Sequence, residues 1–168
     1  MIHTALLLLL APPAFVRDYR PLLEAQMKKA ISLAEATPEE KFGYRPVPSV
    51  RSTGEVFLHI ANGNRILLKS IQGASAKELG EFFEKTLSLE KSITKKVDIL
   101  AEMRASLSEL EHVLDSETDA TLSTEISWFG EKKHRQSMWM FLTDHLSEHL
   151  GQSIAYARAN GVKPPWAD

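Results

Sequence analysis

The chain has 168 residues, enough to build a core of its own, and its apolar (43%) and charged (25%) fractions are ordinary for a globular protein. A formal net charge of −2 argues against a nucleic-acid-binding surface, which needs a basic face. There is no cysteine, so disulfides, thiolate zinc sites, iron–sulfur clusters and a cysteine nucleophile are excluded, and any metal site must draw on His, Asp or Glu.

The N-terminus carries an apolar run from Ala5 to Ala11, followed by Pro12, Pro13 and Ala14. It is too short to span a membrane. Residues 1–14 read either as a signal-like segment, without basic residues ahead of the run, or as an extra apolar turn before the first helix. The two readings place the protein outside or inside the cytoplasm respectively. Residues 15–168 are expected to form one helical domain.

Four long segments carry helical periodicity, and no strand is expected. The first repeats Val16, Tyr19, Leu23, Met27, Ala30 and Leu33 at three- and four-residue steps and stops near Thr37-Pro38. A loop follows from Gly43 to Val50. The second segment opens on Ser52-Thr53-Gly54-Glu55, a capping box, and carries Val56, His59, Ile60, Gly63, Leu67 and Ile71 before a stop at Gly73. Residues 74–92 are polar, with an apolar patch at Leu79, Phe82 and Phe83, and read as a short helix plus loop. The third segment is expected to start at Thr94 as N-cap and to bury Val97, Leu100, Met103, Leu107, Leu110 and Leu114. Residues 116–123 look turn-like. The fourth runs from about His134 to Asn160, where Asn160-Gly161 and Pro164-Pro165 end it. Four amphipathic helices without strands predict an all-α four-helix bundle.

The fourth segment holds the most informative pair. His145 and His149 stand four apart, which on a helix puts both imidazoles on one face. With Met138, Leu142, Gln152, Tyr156 and Ala159 they follow the alternating four- and three-residue steps of a packing seam. His59 lies on the apolar side of the second segment. If the second and fourth segments face each other, the three imidazoles can converge as a metal-ligand set with open positions. The alternative is three unrelated core histidines. His3, His112 and His134 read as peripheral. Gln152 serves either to orient a ligand or in a core hydrogen bond, and Asn62 and Asn64 read as exposed.

His145-Leu-Ser-Glu148-His149 also matches the H-x-x-E-H peptidase pattern, with the Glu as general base. That pattern calls for a further downstream acid, and only Asp168 follows His149. Glu148 is therefore read as a solvated helix residue.

Two stretches together resemble the DinB/YfiT-like superfamily. One is Tyr44-Arg45-Pro46 and Val50-Arg51-Ser52-Thr53-Gly54-Glu55-Val56-Phe57-Leu58-His59-Ile60-Ala61. The other is Asp144-His145-Leu146-Ser147-Glu148-His149-Leu150-Gly151-Gln152, running on through Tyr156-Ala157-Arg158-Ala159-Asn160-Gly161 to Pro164-Pro165. The resemblance implies an up-down-down-up four-helix bundle, a divalent metal on His59, His145 and His149, and a homodimer. It also implies a small-molecule substrate and, from characterised relatives, thiol S-transfer with a low-molecular-weight thiol. The cation is expected to be zinc or nickel, with iron or manganese next. Three neutral ligands leave the cation's charge uncompensated, so it would bind an anion and acidify a thiol or a water. Three readings follow: a thiol S-transferase, a metal-dependent hydrolase, and a non-catalytic metal-binding or stress-related bundle. Neither nucleic acid nor a membrane span enters any of them. Trp128-Phe129 and Trp166 are candidate exposed anchors or core packing.

Overall fold

A computed structural model describes residues 11–167, so His3 and most of the signal-like segment lie outside the described residues. The order of elements is α1 (Ala14–Ala36), a 3-10 turn (Glu39–Lys41), α2 (Thr53–Ile71), α3 (Ala76–Ser92), α4 (Lys96–Asp115) and α5 (Asp119–Leu122), followed by β1 (Glu125–Trp128), β2 (Glu131–His134) and α6 (Arg135–Ala159). No described helix is long and apolar enough to cross a membrane.

Helices α1, α2, α4 and α6 form an up-down-down-up four-helix bundle, and a few long-range hydrogen bonds fix their directions. Near the start of α1, the Tyr19 hydroxyl donates to the Trp139 carbonyl (2.6 Å) and accepts from Thr143 Oγ1 (2.7 Å), so α6 begins beside the start of α1 and runs parallel to it. Arg135, the first residue of α6, donates to the Ile71 carbonyl at the end of α2 (2.6 Å), which sets α2 and α6 antiparallel. Lys96, opening α4, donates to the Glu35 and Thr37 carbonyls at the end of α1, so α4 runs down alongside α2. The core lies between these four helices. It contains the whole expected α1 stripe, together with Phe57, Ile60, Leu67, Met103, Leu110, Met138, Trp139, Leu142, Leu146 and Leu150.

Several boundaries come directly from capping chemistry. Ser52 Oγ accepts from the Glu55 amide while the Glu55 carboxylate accepts from the Ser52 amide, the reciprocal pair that the sequence signals. The same box recurs at Ser75 and Glu78 and starts α3, which spans 17 residues rather than a short helix and loop. This helix packs on α2 through a narrow stripe, burying Leu79, Thr86 and Glu90, and that thin apolar face is why its sequence looks polar. Helix α4 begins at Lys96, one residue later than Thr94 as N-cap would place it: Lys95 is the N-cap, with no side-chain cap bond, and Val97 is exposed. The turn-like 116–123 contains the single-turn α5, capped by Thr118.

The expectation of no strands is overturned by a hairpin. Glu125–Trp128 pairs antiparallel with Glu131–His134, Trp128 opposite Glu131, through the two-residue loop Phe129-Gly130. Both loop residues have positive φ, 46° and 89°. Such tight turns favour Asn-Gly or Asp-Gly. A phenylalanine in the left-handed region costs on the order of 1–2 kcal/mol, so neither alternation nor turn composition announces this hairpin. At its base, the buried Glu117 carboxylate accepts from Arg135 Nε (2.7 Å), Trp139 Nε1 (2.9 Å) and Thr121 Oγ1 (2.6 Å), tying the α4–α5 turn to the start of α6.

Candidate metal site

The three histidines singled out from spacing come together. The ring centroids of His59 and His149 are 4.5 Å apart, those of His145 and His149 4.5 Å, and those of His59 and His145 5.2 Å. One ring nitrogen of each lies within 4.8 Å of the others, so the set could hold a metal ion. It is built from facing positions of α2 and α6. The geometry refines the expected seam. The fully buried line of α6 is Leu142, Leu146, Leu150, Ser153 and Ala157, whereas His145, His149 and Gln152 sit beside it, half-buried, at the edge of the core. Ala159 is exposed.

Close approach of α2 and α6 depends on Gly63. A Cβ at this position would lie 2.1 Å from His145 Cε1 and 2.8 Å from His145 Nδ1. No side chain fits there, and the His145 ring occupies the space. Gly63 is the only residue type that permits this packing, one turn after His59 on α2.

Two of the three rings are oriented by partners. The Nδ1 of His59 lies 2.7 Å from Glu90 Oε1, and Glu90 also accepts from Arg51 Nε at 2.8 Å. Nδ1 of His149 lies 2.9 Å from Gln152 Oε1, and Gln152 Nε2 donates to the Tyr156 hydroxyl (3.1 Å). With Nδ1–H donated outward, each ring keeps Nε2 as a lone-pair donor, the arrangement that orients metal-ligating histidines. Gln152 therefore serves the hydrogen-bond role. Glu90 was not among the residues indicated by the sequence. It lies on α3, 31 residues from His59, and only the recognition of α3 as a full helix could have placed it.

The third ring is different. His145 Nδ1 is buried and has no hydrogen-bond partner among the described residues. Burial, reinforced by His149, His59 and Arg51, lowers the His145 imidazole to about 3. Burial also lowers His149, against the hydrogen bond to Gln152. Burial pushes the Glu90 carboxyl up, but the bonds from His59 and Arg51 outweigh it and hold it below the ordinary carboxylate range. Both shifted rings are therefore neutral near pH 7, the form that ligates metals, and a carboxylate stands behind the third. An orphaned buried ring nitrogen, in a donor set of three imidazoles, fits a divalent cation.

The triad forms the floor of a cleft of about 480 Å³. Its walls come from α2 (Asn62, Ile66, Leu67), α3 (Phe83, Thr86), the hairpin (Trp128, Phe129) and α6 (Phe141). Apart from the three histidines, no titratable side chain among the described residues lines it. Asn62 and Asn64 are buried, contrary to the expectation of exposure. Behind the histidines, Glu90 and Gln152 face a separate polar hollow with Arg45 and Arg51. Glu148 is exposed and does not line the cleft, though its charge acts on the neighbouring His149, while His112 and His134 are exposed and stand apart from the site. The H-x-x-E-H reading accordingly has no second support, since its glutamate points to solvent.

A family model described as the DinB superfamily matches residues 22–153, most of the chain. The chain belongs to the DinB superfamily. Its fold is similar to that of a DinB-like protein from Bacillus cereus at 19% identity and a TM-score of 0.70, covering 92% of this chain and 95% of that one. It is also similar to a DinB-like protein from Bacillus subtilis at 18% identity and a TM-score of 0.70, covering 87% and 93%. At these identities the likeness speaks to the fold alone. No curated protein matches the chain.

Proposed function

We propose that this DinB-superfamily protein holds a divalent cation on His59, His145 and His149 and acts as a thiol S-transferase toward a small electrophile. When bound, the cation would deprotonate a coordinated thiol or lower the pKa of a water. Imidazole ligands suit zinc, nickel and iron alike, and zinc or nickel is the cation we assign. The observation that carries the choice of thiol over water is the composition of the cleft. Among the described residues, no carboxylate, lysine or further histidine lines it to act as a general base. Hydrolysis normally draws on such a base, whereas a thiolate is already the nucleophile. In the transfer, the thiol gives its proton to solvent, its sulfur forms the new bond to the electrophilic carbon, and the bond from that carbon to its leaving group breaks, the leaving group departing to solvent with the electron pair (chloride for a chloroarene).

The protein's own part is positional. Glu90 and Gln152 fix two rings by their Nδ1 atoms, and Gly63 admits the third. A homodimer belongs to the same reading, with exposed Leu22 and Met140 on the neighbouring helices α1 and α6 as apolar surface for it.

Elemental analysis of the purified protein tests the ligand set. About one equivalent of metal is expected, lost in His145→Ala; unchanged metal in that variant removes the site. A panel of low-molecular-weight thiols with 1-chloro-2,4-dinitrobenzene, run beside generic esters and amides, tests the chemistry. Ester or amide turnover without thiol consumption would favour the hydrolase. No turnover in either assay would leave a binding module. Light scattering decides the oligomeric state.

A further inference from the structure

The hairpin contains a residue that serves neither its turn nor the core. Phe129 occupies the first loop position at φ 46°, where asparagine, aspartate or glycine would sit without strain. Its ring is 55% exposed, so core burial does not offset the strain. The ring instead stacks edge-on against Trp128, with centroids 4.7 Å apart, and lines the cleft above the histidines. Trp128 in turn meets Phe141 at 5.9 Å, and Phe83 faces the same cleft from α3. Phe83 and Phe141 are each 41% exposed. Aromatic rings from three separate elements thus converge, partly solvated, on one opening.

We propose that the cleft takes a neutral ligand with an aromatic or branched alkyl body, and that Phe129 is a specificity-determining residue for it. The absence of charge from the walls disfavours an ionic ligand body, because an ion there would lose hydration without gaining a partner. A volume of about 480 Å³ lies in the range of small-molecule clefts and suits a body of one or two rings. Asn62 and Thr86 line the α2–α3 wall but are buried, with the Asn62 amide donating to the Thr86 carbonyl and the Thr86 hydroxyl to the Phe83 carbonyl, so this wall too presents little polar surface. Strain held at a position that lines a cleft is the pattern of a side chain placed for a ligand. As a statement about substrate, this rests on the reading that the histidines hold the reactive cation; the preference of the cleft for apolar bodies does not.

The test uses the full-length protein and N-phenyl-1-naphthylamine, a neutral probe that fluoresces in apolar surroundings. Saturable one-to-one binding is expected with and without zinc. Phe129→Asn should weaken binding at least fivefold while holding or raising the thermal midpoint, since Asn suits the turn. A merely structural Phe129 would lower the midpoint instead, and that result overturns the proposal, as does unchanged probe affinity. Benzohydroxamate and acetohydroxamate are then compared as displacers on zinc-loaded and zinc-free protein. Stronger displacement by benzohydroxamate on zinc-loaded protein is expected; equal potency there overturns the ligand preference. Displacement indifferent to zinc overturns the metal reading and leaves the apolar preference standing. If wild type takes up no probe and Phe129→Asn turns a dimer into a monomer, a second copy covers the aromatic face and the proposal is overturned.

Discussion

The carboxylate of Glu90 holds the His59 ring by Nδ1 at 2.7 Å and is itself held by Arg51 at 2.8 Å. Its relative exposure is 5%, so its orientation is set by these two partners and not by solvent. Glu90→Ala should free the His59 ring to rotate and to change tautomer. Metal affinity is expected to fall roughly 10–100-fold, the usual effect of losing such a partner, while the helical content of the protein is retained. Competition against a chromophoric chelator measures this. An unchanged affinity would show that Glu90 serves only to neutralise Arg51.

Gly63→Ala sets two effects against each other. In a helix interior, alanine is ordinarily more stable than glycine by about 1 kcal/mol. Here the added methyl would stand 2.1 Å from His145 Cε1 and must displace the ring or part the helices, an overpacking cost of roughly 1–3 kcal/mol. The clash should win, and its mark should be loss of metal stoichiometry out of proportion to the change in thermal midpoint. Gly80 and Gly151, where a Cβ would meet nothing within 4 Å, supply the matched controls: Ala at either should leave metal content unchanged.

Acidification should destabilise the metal-free protein early. The folded-state pKa of His145 is lowered to about 3 by burial and neighbouring charges, while in the unfolded chain it returns to about 6.5. Between those values the unfolded state binds a proton that the folded state does not. Stability therefore falls as the pH drops below about 6.5, with a slope of up to about 1.4 kcal/mol per pH unit from this one group, and levels off near the folded value. His149 is shifted the same way. The lowered Glu90 adds a loss of the same sign in the acid range, as the pH falls through its folded value. Urea unfolding of chelator-treated protein at pH 7.5, 6 and 5 should show the slope, and His145→Leu should flatten it. In the metal-loaded protein, protons compete for the same nitrogens, so metal content should also fall with pH.

Much of this molecule is legible in its sequence, for identifiable reasons. The α1 stripe from Val16 to Leu33, the Ser52–Glu55 box and the Asn160-Gly161 stop follow from periodicity and capping, which are local. The faces that carry the three histidines follow from the same periodicity, a four-residue step on α6 and an apolar-face position on α2, whereas the facing of those two helices is set by the tertiary fold. The illegible parts are those set by tertiary context. Helix α3 buries so narrow a stripe that composition hides it, although Ser75 and Glu78 announce its start. The hairpin places Phe129 where turn chemistry calls for Asn or Gly. Glu90 becomes a partner of His59 only once α3 is laid across α2.

Glu117 provides a stability prediction independent of the metal site. It is fully enclosed and accepts from Arg135, Trp139 and Thr121. Glu117→Ala would strand the Arg135 guanidinium and the Trp139 indole N–H, a loss of about 3–5 kcal/mol for a broken buried pair. Denaturant unfolding should show the drop. Metal affinity at low temperature, where the variant remains folded, should stay near wild type.

The antiparallel setting of α2 and α6 carries a consequence for folding. His59 and His145 are 86 positions apart in the chain (145 − 59), and between them lie α3, α4, α5 and the hairpin. An unfolded chain keeps the His145–His149 pair in proximity but scatters His59, so a cation would select the native chain over the denatured one. It would act as a removable cross-link that closes a loop holding half the protein, and at a thousandfold excess over its dissociation constant it would add about 4 kcal/mol to stability. The thermal midpoint then becomes a direct gauge of metal supply, and starvation for the metal would appear first as a softened fold.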